Sequence, residues 1–316
     1  MTTFDVSSVG FYVLDILGRP VTAIPPGGRC FFIDEIAMTV AGTAGASAMA
    51  CAILGLKTRA VGSVGDDEMG DIMLGALGRK GVDTALVERF PGVATSATIL
   101  PVRPNGERPA LHVPGSAAHF RVKPDSEDAV LDARFVHFGG TGLLKAFDGE
   151  PTLHLIKKAK ALGRTTTFDL IQASPETIAL VEPLLPHIDY FIPSIDEASE
   201  MSGRTDPDDV AKFFLDRGVG TCALTMGGDG CIIVSKDGTR VRLPAHDVAV
   251  SDTTGCGDSY TSGFIVGLHH GWDLERCGRF ATAVSAIVAT GLGSNAKLVS
   301  FESTLEAMNT LPLRVA

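Results

Sequence analysis

A seven-residue run near the end of the chain, Asp252-Thr-Thr-Gly-Cys-Gly-Asp258, combines groups that could hold an anion and move a proton. The glycines at positions 255 and 257 allow successive backbone N–H groups to converge on one point without side chains in the way. We predict a short strand over Val248–Ser251 before the run and a helix after it, whose N-terminus would face the same point. This arrangement suits the charge that develops when a phosphoryl group is transferred to a hydroxyl.

Asp258 falls in the first turn of that predicted helix. The helix dipole favours a carboxylate there by about 0.3–1 kcal/mol, and we expect it to keep Asp258 ionised at neutral pH. An ionised carboxylate beside an anion-binding turn could accept the proton of a substrate hydroxyl. The alternative is that Asp252 and Asp258 only cap the turn. The two glycines and the predicted strand-turn-helix context favour the chemical role, so Asp258 is the predicted catalytic base.

The elements that must position this run alternate along the chain. A mostly apolar segment, Phe4 to Leu14, predicts a buried first strand with Asp15 at its C-terminal tip. A helix of small residues is predicted over Thr43–Leu54, and Asn105-Gly106 indicates a hairpin. Beyond residue 135 strands and helices alternate regularly, which is typical of a parallel sheet. The helices predicted there include Pro151–Leu162, Pro175–Leu185 and Pro207–Arg217.

The sequence therefore predicts one open, mostly parallel α/β domain over residues 1–316, with its sheet flanked by helices. Two broken segments, approximately 17–41 and 94–118, are predicted to form a small antiparallel β lid inserted into it. Ligands of open α/β sheets bind outside the carboxyl ends of the strands. Polar residues and glycines fall at those predicted ends, namely Asp15, Gly139-Gly140, Asp169, Ser194 and Gly227.

Composition narrows the class of protein. The chain has 316 residues and a formal net charge of −10, and we see no stripe of Lys and Arg, which argues against a nucleic-acid binder. It has no apolar stretch of about 18 residues, and its first residues lack a signal-peptide pattern, so we expect a cytoplasmic protein without membrane contact. The six cysteines are scattered without the spacing of a zinc site and are expected to be reduced thiols.

The run at 252–258 resembles the signature of the ribokinase-like sugar kinases, the phosphofructokinase-B family of carbohydrate and nucleoside kinases. The resemblance extends over nearly the whole chain. It includes Val61-Gly-Ser-Val-Gly-Asp-Asp67, Phe138-Gly-Gly140 and Thr225-Met-Gly-Gly-Asp-Gly230. It implies a ribokinase-like fold with the lid described above, and an ATP-dependent carbohydrate kinase that phosphorylates a hydroxyl of a small sugar-like substrate.

The resemblance also implies roles for particular residues. Asp258 would deprotonate the substrate hydroxyl, while the backbone amides of Gly255, Cys256 and Gly257 would stabilise the transferring phosphate. The residues along ATP would be Ser194, Glu197, Thr225, Gly227, Gly228 and Gly230, with Glu197 acting on Mg²⁺ through water. The substrate contacts would be Asp15, Gly42, Thr43, Ala46 and Asp258. A monovalent cation such as K⁺ would be held by Asp252, Thr254, Gly293 and Ser294.

Three positions depart from the family pattern. Ala46 stands where family members usually have an Asn that grips the sugar, and Ser194 replaces the first residue of an Asn-x-x-Glu motif. Asp169-Leu-Ile replaces the usual Asp-Pro-Asn. These changes leave a nucleoside as an alternative to the sugar or sugar acid that we favour. They also leave a non-catalytic sensor of sugar or nucleotide as an alternative to the enzyme.

Two further expectations complete the sequence analysis. Gly291-Leu-Gly293-Ser-Asn-Ala296 superficially matches a dinucleotide fingerprint, which would suit a nicotinamide-dependent oxidoreductase, but it follows an Ala-rich helix instead of a strand. A helix end is therefore the favoured interpretation. The family resemblance suggests a homodimer, in which lid strands of two copies would pair and cover their exposed edges.

Overall fold

The computed structural model describes residues 2–171 and 173–314, so Met1, Gln172, Val315 and Ala316 of the predicted domain lie outside the described residues. The strands of the described part are, in chain order, β1 (Phe4–Gly10), β2 (Val13–Arg19), β3 (Glu35–Ala41), β4 (Thr58–Gly65), β5 (Asp83–Phe90), β6 (Ala97–Pro101), β7 (Leu111–Val113), β8 (Ala133–Thr141), β9 (Thr165–Leu170), β10 (Tyr190–Phe191), β11 (Thr221–Thr225), β12 (Cys231–Ser235) and β13 (Arg240–Leu243).

The helices of the same part are α1 (Thr43–Ile53), α2 (Glu68–Arg79), α3 (Glu127–Val130), α4 (Glu150–Ala161), α5 (Thr177–Val181), α6 (Ile195–Ser202), α7 (Pro207–Leu215), α8 (Cys256–His269), α9 (Leu274–Ala289) and α10 (Phe301–Thr310). Among these helices, none combines the length and the apolar character that crossing a membrane would require.

Nine strands form the central sheet, in the order β13-β12-β11-β10-β9-β8-β1-β4-β5. The seven strands from β11 to β5 run parallel, while β12 and β13 continue the sheet in antiparallel pairing. The middle strands β1 and β8 are buried almost throughout, as expected for a parallel sheet covered by helices on both faces. The carboxyl ends of the parallel strands therefore meet along one edge of the sheet.

Four strands form a second, smaller sheet, in the order β3-β2-β6-β7. The outer pairings are antiparallel, and β2 and β6 pair in parallel. Successive residues of a strand face opposite sides of its sheet, so the register defines two rows with opposite faces. One row across the four strands consists of Met38, Ile16, Ile99 and Leu111. The adjacent row consists of Thr39, Asp15, Thr98 and His112.

Helix α8, which begins at the predicted signature, is fixed by two neighbours. A Cβ atom on Gly263 would lie 2.7 Å from the Cα atom of Ala281, so α8 and α9 approach closely at this glycine. The hydroxyl of Ser262 donates to the carbonyl oxygen of Ser47 in α1 at 3.2 Å, and the hydroxyl of Ser47 donates to the carbonyl oxygen of Asp258 at 3.3 Å. The first turns of α8 are therefore held in place from both sides.

The fold class predicted from the sequence is confirmed, since a mostly parallel sheet flanked by helices carries a small second sheet. The position of Asp15 was wrong. The apolar segment Phe4 to Leu14 is divided between β1 and β2, and Asp15 lies inside β2 in the small sheet. The chain leaves β1 at Gly10, whose φ of 137° and contact with Gly139 exclude a side chain. Both strands are buried, so hydrophobicity alone does not show the break.

Two other predicted elements were also wrong. Val248–Ser251 is not a strand, and the N–H of Ser251 instead donates to the carbonyl oxygen of Ala289 at 2.8 Å. The helix predicted over Pro175–Leu185 is only Thr177–Val181, because the chain beyond it contains prolines that cannot donate the next helical hydrogen bonds. The sequence analysis also missed β5, α6 and α10.

Candidate active site

A cavity of about 510 Å³ lies between the small sheet and the carboxyl edge of the central sheet. Its walls come from the small sheet (Asp15, Thr98, His112), from the ends of central strands (Asp169, Leu170) and from the start of α8 (Gly255, Gly257, Asp258). A neighbouring groove of about 780 Å³ runs past the Gly227–Gly230 loop and the segment at 245–250. Both spaces are lined by Arg108, Ser194, Thr225, Thr253 and Gly257, so they meet at the N-terminus of α8.

The turn that starts α8 is shaped by the buried carboxylate of Asp252. One carboxylate oxygen accepts from the N–H and the hydroxyl of Thr254, at 3.0 and 2.8 Å, and the other accepts from the N–H of Gly293 at 2.8 Å. Gly255 follows with a φ of 73°, and a Cβ atom there would meet Ser294 at 2.6 Å. Only glycine fits this position, so the signature is fixed by backbone geometry and by close contact.

The residues of this turn line the two spaces, with Gly255 in the cavity wall, Cys256 in the groove wall and Gly257 in both. The N–H of Cys256 donates to the carbonyl oxygen of Thr253 at 3.3 Å. For Gly255 and Gly257, no acceptor lies within hydrogen-bonding distance of the N–H in the part of the chain that the structure describes. A Cβ atom on Gly257 would meet nothing within 4 Å, so its backbone is open to the cavity. Two of the three predicted amides are therefore available to an anion.

Cys256 itself carries no sign of nucleophilic chemistry. Burial raises the pKa of its thiol to about 11, against a smaller lowering by Ser285 and Arg108. The thiol is therefore protonated at neutral pH and unreactive. All six cysteines of the chain are free, as the sequence analysis expected.

Asp258 lines the cavity, and its environment disfavours its charge. Burial raises the pKa of the carboxyl to about 7, with further raising by the charges of Glu197 and Asp15 and a lowering by Arg108. We expected the helix dipole to keep this carboxylate ionised at neutral pH, but desolvation is the larger effect. A carboxyl group with a pKa near 7 is well matched to a general base. At neutral pH a large fraction of it is ionised, and the ionised form still binds a proton readily.

Two further carboxylates face the same region. Glu197 closes a capping box at the start of α6, where its carboxylate accepts from the N–H and the hydroxyl of Ser194 at 3.1 and 2.6 Å. Burial raises the pKa of Glu197. Burial, followed by the charges of Glu197 and Asp258, also raises the pKa of Asp169, at the end of β9. The capping box explains how Ser194 can replace the amide expected there while Glu197 keeps its place.

The small sheet contributes a polar row that sequence reasoning missed in part. Thr98 is paired with Asp15 across the strands, and its hydroxyl lies 3.1 Å from Nδ1 of His112 on the next strand. Burial raises the pKa of Asp15 to about 6, and Thr98 and Arg108 partly offset this. Thr98 and His112 carry no motif, and only the strand register shows that they share the face of Asp15.

The predicted site residues fall into three groups. Those that line the cavity are Asp15, Gly42, Thr43, Ser194, Glu197, Thr225, Thr254, Gly255, Gly257, Asp258 and Ser294. Those that line the groove are Ser194, Thr225, Gly227, Gly228, Gly230, Cys256 and Gly257. The structure does not bring Ala46, Asp252 or Gly293 to either wall. Ala46 is buried inside α1, and its carbonyl oxygen accepts from Nδ2 of Asn295 at 3.2 Å.

Direct metal ligands are not clustered in this site. Among residues 2–171 and 173–314, no group of three or more His, Cys, Asp or Glu side chains is arranged to hold a metal ion.

An open α/β sheet with ligand spaces at its carboxyl edge and an anion-binding turn beside a carboxylate defines a class of nucleotide- and sugar-handling proteins. The family model described as pfkB family carbohydrate kinase matches residues 33–300. The chain therefore belongs to the pfkB family of carbohydrate kinases, and it is an enzyme of that kind.

Three known proteins illustrate the similarity. The chain is 28% identical to a 5-dehydro-2-deoxygluconokinase of Shouchella clausii over an alignment of 322 positions, which covers 98% of this chain and 93% of that protein. The structure of Arabidopsis thaliana ribokinase complexed with ribose and ATP matches with a TM-score of 0.82 and 22% identity, covering 98% and 99% of the two chains. The structure of a putative ribokinase II from E. coli in complex with ATP and Mg²⁺ matches with a TM-score of 0.83 and 20% identity. This match covers 96% of the present chain and 99% of the E. coli chain.

The electrostatics of Asp258 give a prediction about stability. In the unfolded protein the carboxyl of Asp258 has its ordinary pKa of 3.8, whereas in the folded protein its pKa is about 7. The folded state therefore binds the proton more tightly, and the free energy of unfolding falls as the pH rises between these two values. We expect Asp258→Asn to raise Tm at about pH 8, by about 2–4 °C for each kcal/mol gained, and to raise it less at about pH 5. Thermal unfolding followed by circular dichroism at the two pH values measures this.

The matched control is Asp209→Asn, because Asp209 occupies the same third position of a helix, α7, but is exposed and outside both spaces. Its Tm should differ from that of the native protein by the same small amount at both pH values. An equal gain from both substitutions, or a gain from Asp258→Asn that is larger at the lower pH, would contradict the assignment.

Proposed function

We propose that this carbohydrate kinase transfers the γ-phosphoryl group of ATP to a hydroxyl of a sugar or sugar acid, with Asp258 as the base. One observation carries the proposal. Asp258 and the available amides of Gly255 and Gly257 line the 510 Å³ cavity, and Gly257 also lines the groove that runs along the Gly227–Gly230 loop. An acceptor in the cavity and a nucleotide in the groove would place their reacting atoms at this junction.

In the proposed step, one proton moves to the protein and one phosphoryl group moves from ATP to the acceptor. The carboxylate of Asp258 takes the proton of the acceptor hydroxyl, and the acceptor oxygen forms a bond to the γ-phosphorus. The bond from that phosphorus to the oxygen bridging to the β-phosphate breaks, which yields ADP and the phosphorylated acceptor. The N–H groups of Gly255 and Gly257 donate to the oxygens of the transferring group, and the dipole of α8 supports them. Cys256 lies between the two glycines, and its N–H closes the turn by donating to the carbonyl oxygen of Thr253.

We assign the groove to the nucleotide and its metal. The loop after β11 approaches the neighbouring backbone closely at Gly230, where a Cβ atom would meet the carbonyl oxygen of Leu243 at 1.9 Å. We assign Thr225 and this loop to ATP. Burial raises the pKa values of Asp169, Glu197 and Asp258, and the charge of Glu197 raises those of Asp169 and Asp258 further. Such a concentration of negative charge favours a divalent cation. Glu197 would hold Mg²⁺ through water, where the ion supplies charge neutralisation for the phosphates.

A monovalent cation site remains part of the proposal. The carboxylate of Asp252 accepts three hydrogen bonds from Thr254 and Gly293, so its role would be to shape the loop around the ion. The buried hydroxyl oxygen of Ser294, in the cavity wall, has no hydrogen-bond partner among the described residues. This oxygen and backbone carbonyl oxygens near Gly293 are the ligands that we propose for K⁺.

The acceptor would be held from two sides. Asp15, Thr98 and His112 present their polar row from the small sheet, while Gly42 and Thr43 line the cavity at the start of α1. The buried hydroxyl of Thr43 has no partner among the described residues, which suits a contact with an acceptor hydroxyl. These groups replace the side-chain grip that Ala46 does not provide. The similarity to a 5-dehydro-2-deoxygluconokinase supports a sugar acid as the first class to test.

A nucleoside is the second candidate acceptor. One observation favours it, namely that the cavity wall also includes the apolar side chains of Phe11, Leu143 and Ile171. Such a wall could hold a base by stacking and burial. The acceptor panel below therefore includes nucleosides beside sugars and sugar acids.

The proposed function predicts acceptor-dependent release of ADP. We expect at least one member of a panel of sugars, sugar acids and nucleosides to be phosphorylated with ATP and Mg²⁺ in a coupled assay. Asp258→Asn should lower kcat by about 10²–10⁴ while the KM for the acceptor changes little, because a general base acts mainly in the transition state. For the native enzyme, kcat/KM should fall as the pH drops below about 7, since protonated Asp258 cannot accept a proton.

Asp209→Asn again serves as the control and should keep the native rate. Equal turnover by Asp258→Asn would remove Asp258 as the base. Binding of a sugar without any phosphorylation would identify the protein as a sensor, the alternative that the sequence left open.

The polar row of the small sheet predicts how the acceptor is recognised. Thr98→Val removes the hydroxyl that lies 3.1 Å from Nδ1 of His112 and that lowers the pKa of Asp15, but it keeps the shape of the side chain. Loss of one such buried hydrogen bond costs about 1–3 kcal/mol, so we expect the KM for the acceptor to rise about 5- to 100-fold with a smaller change in kcat. Thr98→Ser retains the hydroxyl and should behave like the native enzyme. A KM increase shared by both variants would mean that packing, not the hydrogen bond, matters.

We also propose that the small sheet joins two copies of the chain. Its outer row exposes Met38 (56%), Ile99 (54%) and Leu111 (65%), with Ile16 between them, and Ile36 (70%) and Val113 (54%) extend the same apolar surface. Apolar surface of this kind on a sheet with open edges is typical of an association site. Two-fold pairing of this row with itself would cover it.

The dimer predicts a change of mass in solution. We expect the native protein to run as a dimer in size-exclusion chromatography with light scattering, and Met38→Glu/Leu111→Glu to run as a monomer, because four buried like charges would oppose association. Val299→Glu, at an apolar residue that is more exposed than either and far from the small sheet in sequence, is the control and should stay dimeric. A monomeric native protein, or a dimer that survives the double substitution, would contradict this interface.

A further inference from the structure

The segment that follows α10 lies along the nucleotide groove. The N–H of Asp247, in the groove wall, donates to the carbonyl oxygen of Pro312 at 2.8 Å. The N–H of Arg314 donates to the carbonyl oxygen of Ala245 at the same distance. Two backbone hydrogen bonds therefore fix this segment beside the residues at 245–247. The side chain of Arg314 is exposed and lines the groove.

The guanidinium of Arg314 occupies the space where Gly228 lacks a side chain. One of its terminal nitrogens donates to the carbonyl oxygen of Gly228 at 3.3 Å. A Cβ atom on Gly228 would lie 2.0 Å from the same nitrogen, and the three atoms nearest to it would all belong to Arg314. Gly227 and Gly230, in the same loop, have φ values of 53° and 85° that favour glycine, but the φ of Gly228 is not positive. The contact with Arg314, and not the backbone conformation, therefore explains the glycine at 228.

Arg314 is weakly engaged by the protein. A guanidinium has five N–H donors, and the described residues accept a hydrogen bond from this one at Gly228 alone. Asp196, Asp229 and Asp247 also line the groove, yet within the described part of the chain none of them forms an ion pair with Arg314. Most donors of this guanidinium are therefore free for a ligand in the groove.

The position of Arg314 along the groove indicates which part of a nucleotide it would meet. Thr225 and Gly257 line both the cavity and the groove, whereas Gly228 and Arg314 line the groove alone. A nucleotide whose γ-phosphate lies at Gly257 would extend from there along the loop after β11. The β- and α-phosphates follow the γ-phosphate in this direction, so they would pass Gly228 before the ribose and the base do.

We propose that Arg314 binds the α- and β-phosphates of the nucleotide, and that Gly228 provides the space in which the guanidinium is held. This inference rests on the proposed function, which assigns the groove to ATP. A planar guanidinium with free donors matches phosphate oxygens in pairs. In a protein with a net charge of −10, it also supplies positive potential where a polyphosphate needs it. ADP contains the same two phosphates, so Arg314 holds the product as it holds ATP.

The first test measures binding and needs no acceptor. Isothermal titration would compare, with Mg²⁺, a non-hydrolysable ATP analogue, ADP and AMP, with AMP titrated in competition with ADP so that only binding in the groove is counted. For Arg314→Ala we expect the Kd values of the analogue and of ADP to rise equally, by about 10-fold, because both lose a charged hydrogen-bond partner. The Kd of AMP, which lacks the β-phosphate, should rise less, by about threefold. Arg279→Ala is the control, because Arg279 is also exposed but lies outside both spaces.

The second test uses the contact with Gly228. Gly228→Ala would displace the guanidinium from the loop, and we expect it to weaken the binding of ADP about as much as Arg314→Ala does. The double variant should bind ADP no more weakly than either single variant, because both substitutions remove the same interaction. Gly78→Ala, in α2, is the control, since a Cβ atom there would meet nothing within 4 Å. Losses that multiply in the double variant would show that Gly228 does not act through Arg314.

The third test uses the acceptor found by the panel. Arg314→Ala should raise the KM for ATP about 10-fold without lowering kcat, because the α- and β-phosphates keep the same contacts in the ground state and in the transition state. Arg314→Lys should fall between the native enzyme and Arg314→Ala, since an ammonium keeps the charge but cannot bridge two oxygens. A loss of kcat equal to the loss of kcat/KM would contradict a role in nucleotide binding.

Other outcomes also overturn the inference. A rise in Kd confined to the ATP analogue would place Arg314 on the γ-phosphate, and equal rises for AMP and ADP would place it on the ribose, the base or the α-phosphate alone. Native binding with a lowered Tm would leave it a structural role. If the native protein binds neither the analogue nor ADP, the assignment of the groove to ATP is wrong, and the inference falls with it. If the native protein binds both and Arg314→Ala binds them equally well, only the inference is wrong.

Discussion

The buried carboxylate of Asp252 is the contact on which the geometry of the candidate active site depends. Its three hydrogen bonds, to both polar groups of Thr254 and to the N–H of Gly293, join the start of α8 to the segment that follows α9. The two segments are thereby so close that Gly255 has no room for a side chain beside Ser294. Helix α8 can then begin at Cys256, with the amide of Gly257 and the carboxyl of Asp258 facing the junction. One buried acceptor thus orders the turn, the amides and the base.

Charge is the second constraint. Burial makes the ionised forms of Asp15, Asp169, Glu197 and Asp258 costly, and their proximity adds repulsion. A fold optimised for stability alone would replace some of these side chains with apolar ones. In the proposed kinase this cost would be useful, because the negative charge would recruit Mg²⁺ and raises the pKa of Asp258 toward neutral pH. Arg108 and the amides of α8 would then supply the positive potential that phosphates need in an acidic protein.

Much of the site was predictable because it follows local rules. The run from Asp252 to Asp258 encodes its own turn, since glycines are required where backbones approach closely, and alternating strands and helices predicted the sheet edge where ligands bind. Asp15 was misplaced because β1 and β2 are both buried, so a continuous apolar pattern hides the break at Gly10. Thr98, Arg108 and His112 were missed since their positions depend on long-range pairing of the small sheet, which no local pattern reports.

The small sheet places two proposed functions on opposite faces of the same strands. In its register, Thr39, Asp15, Thr98 and His112 form one row, and Met38, Ile16, Ile99 and Leu111 form the next. A slip of one residue would turn the polar row outward and the apolar row into the cavity, so selection on either face maintains the other. A partner copy that covers the apolar row would also fix the sheet that carries Asp15 and Arg108. Association and phosphoryl transfer would therefore be linked through strand register, without any residue shared between the two sites.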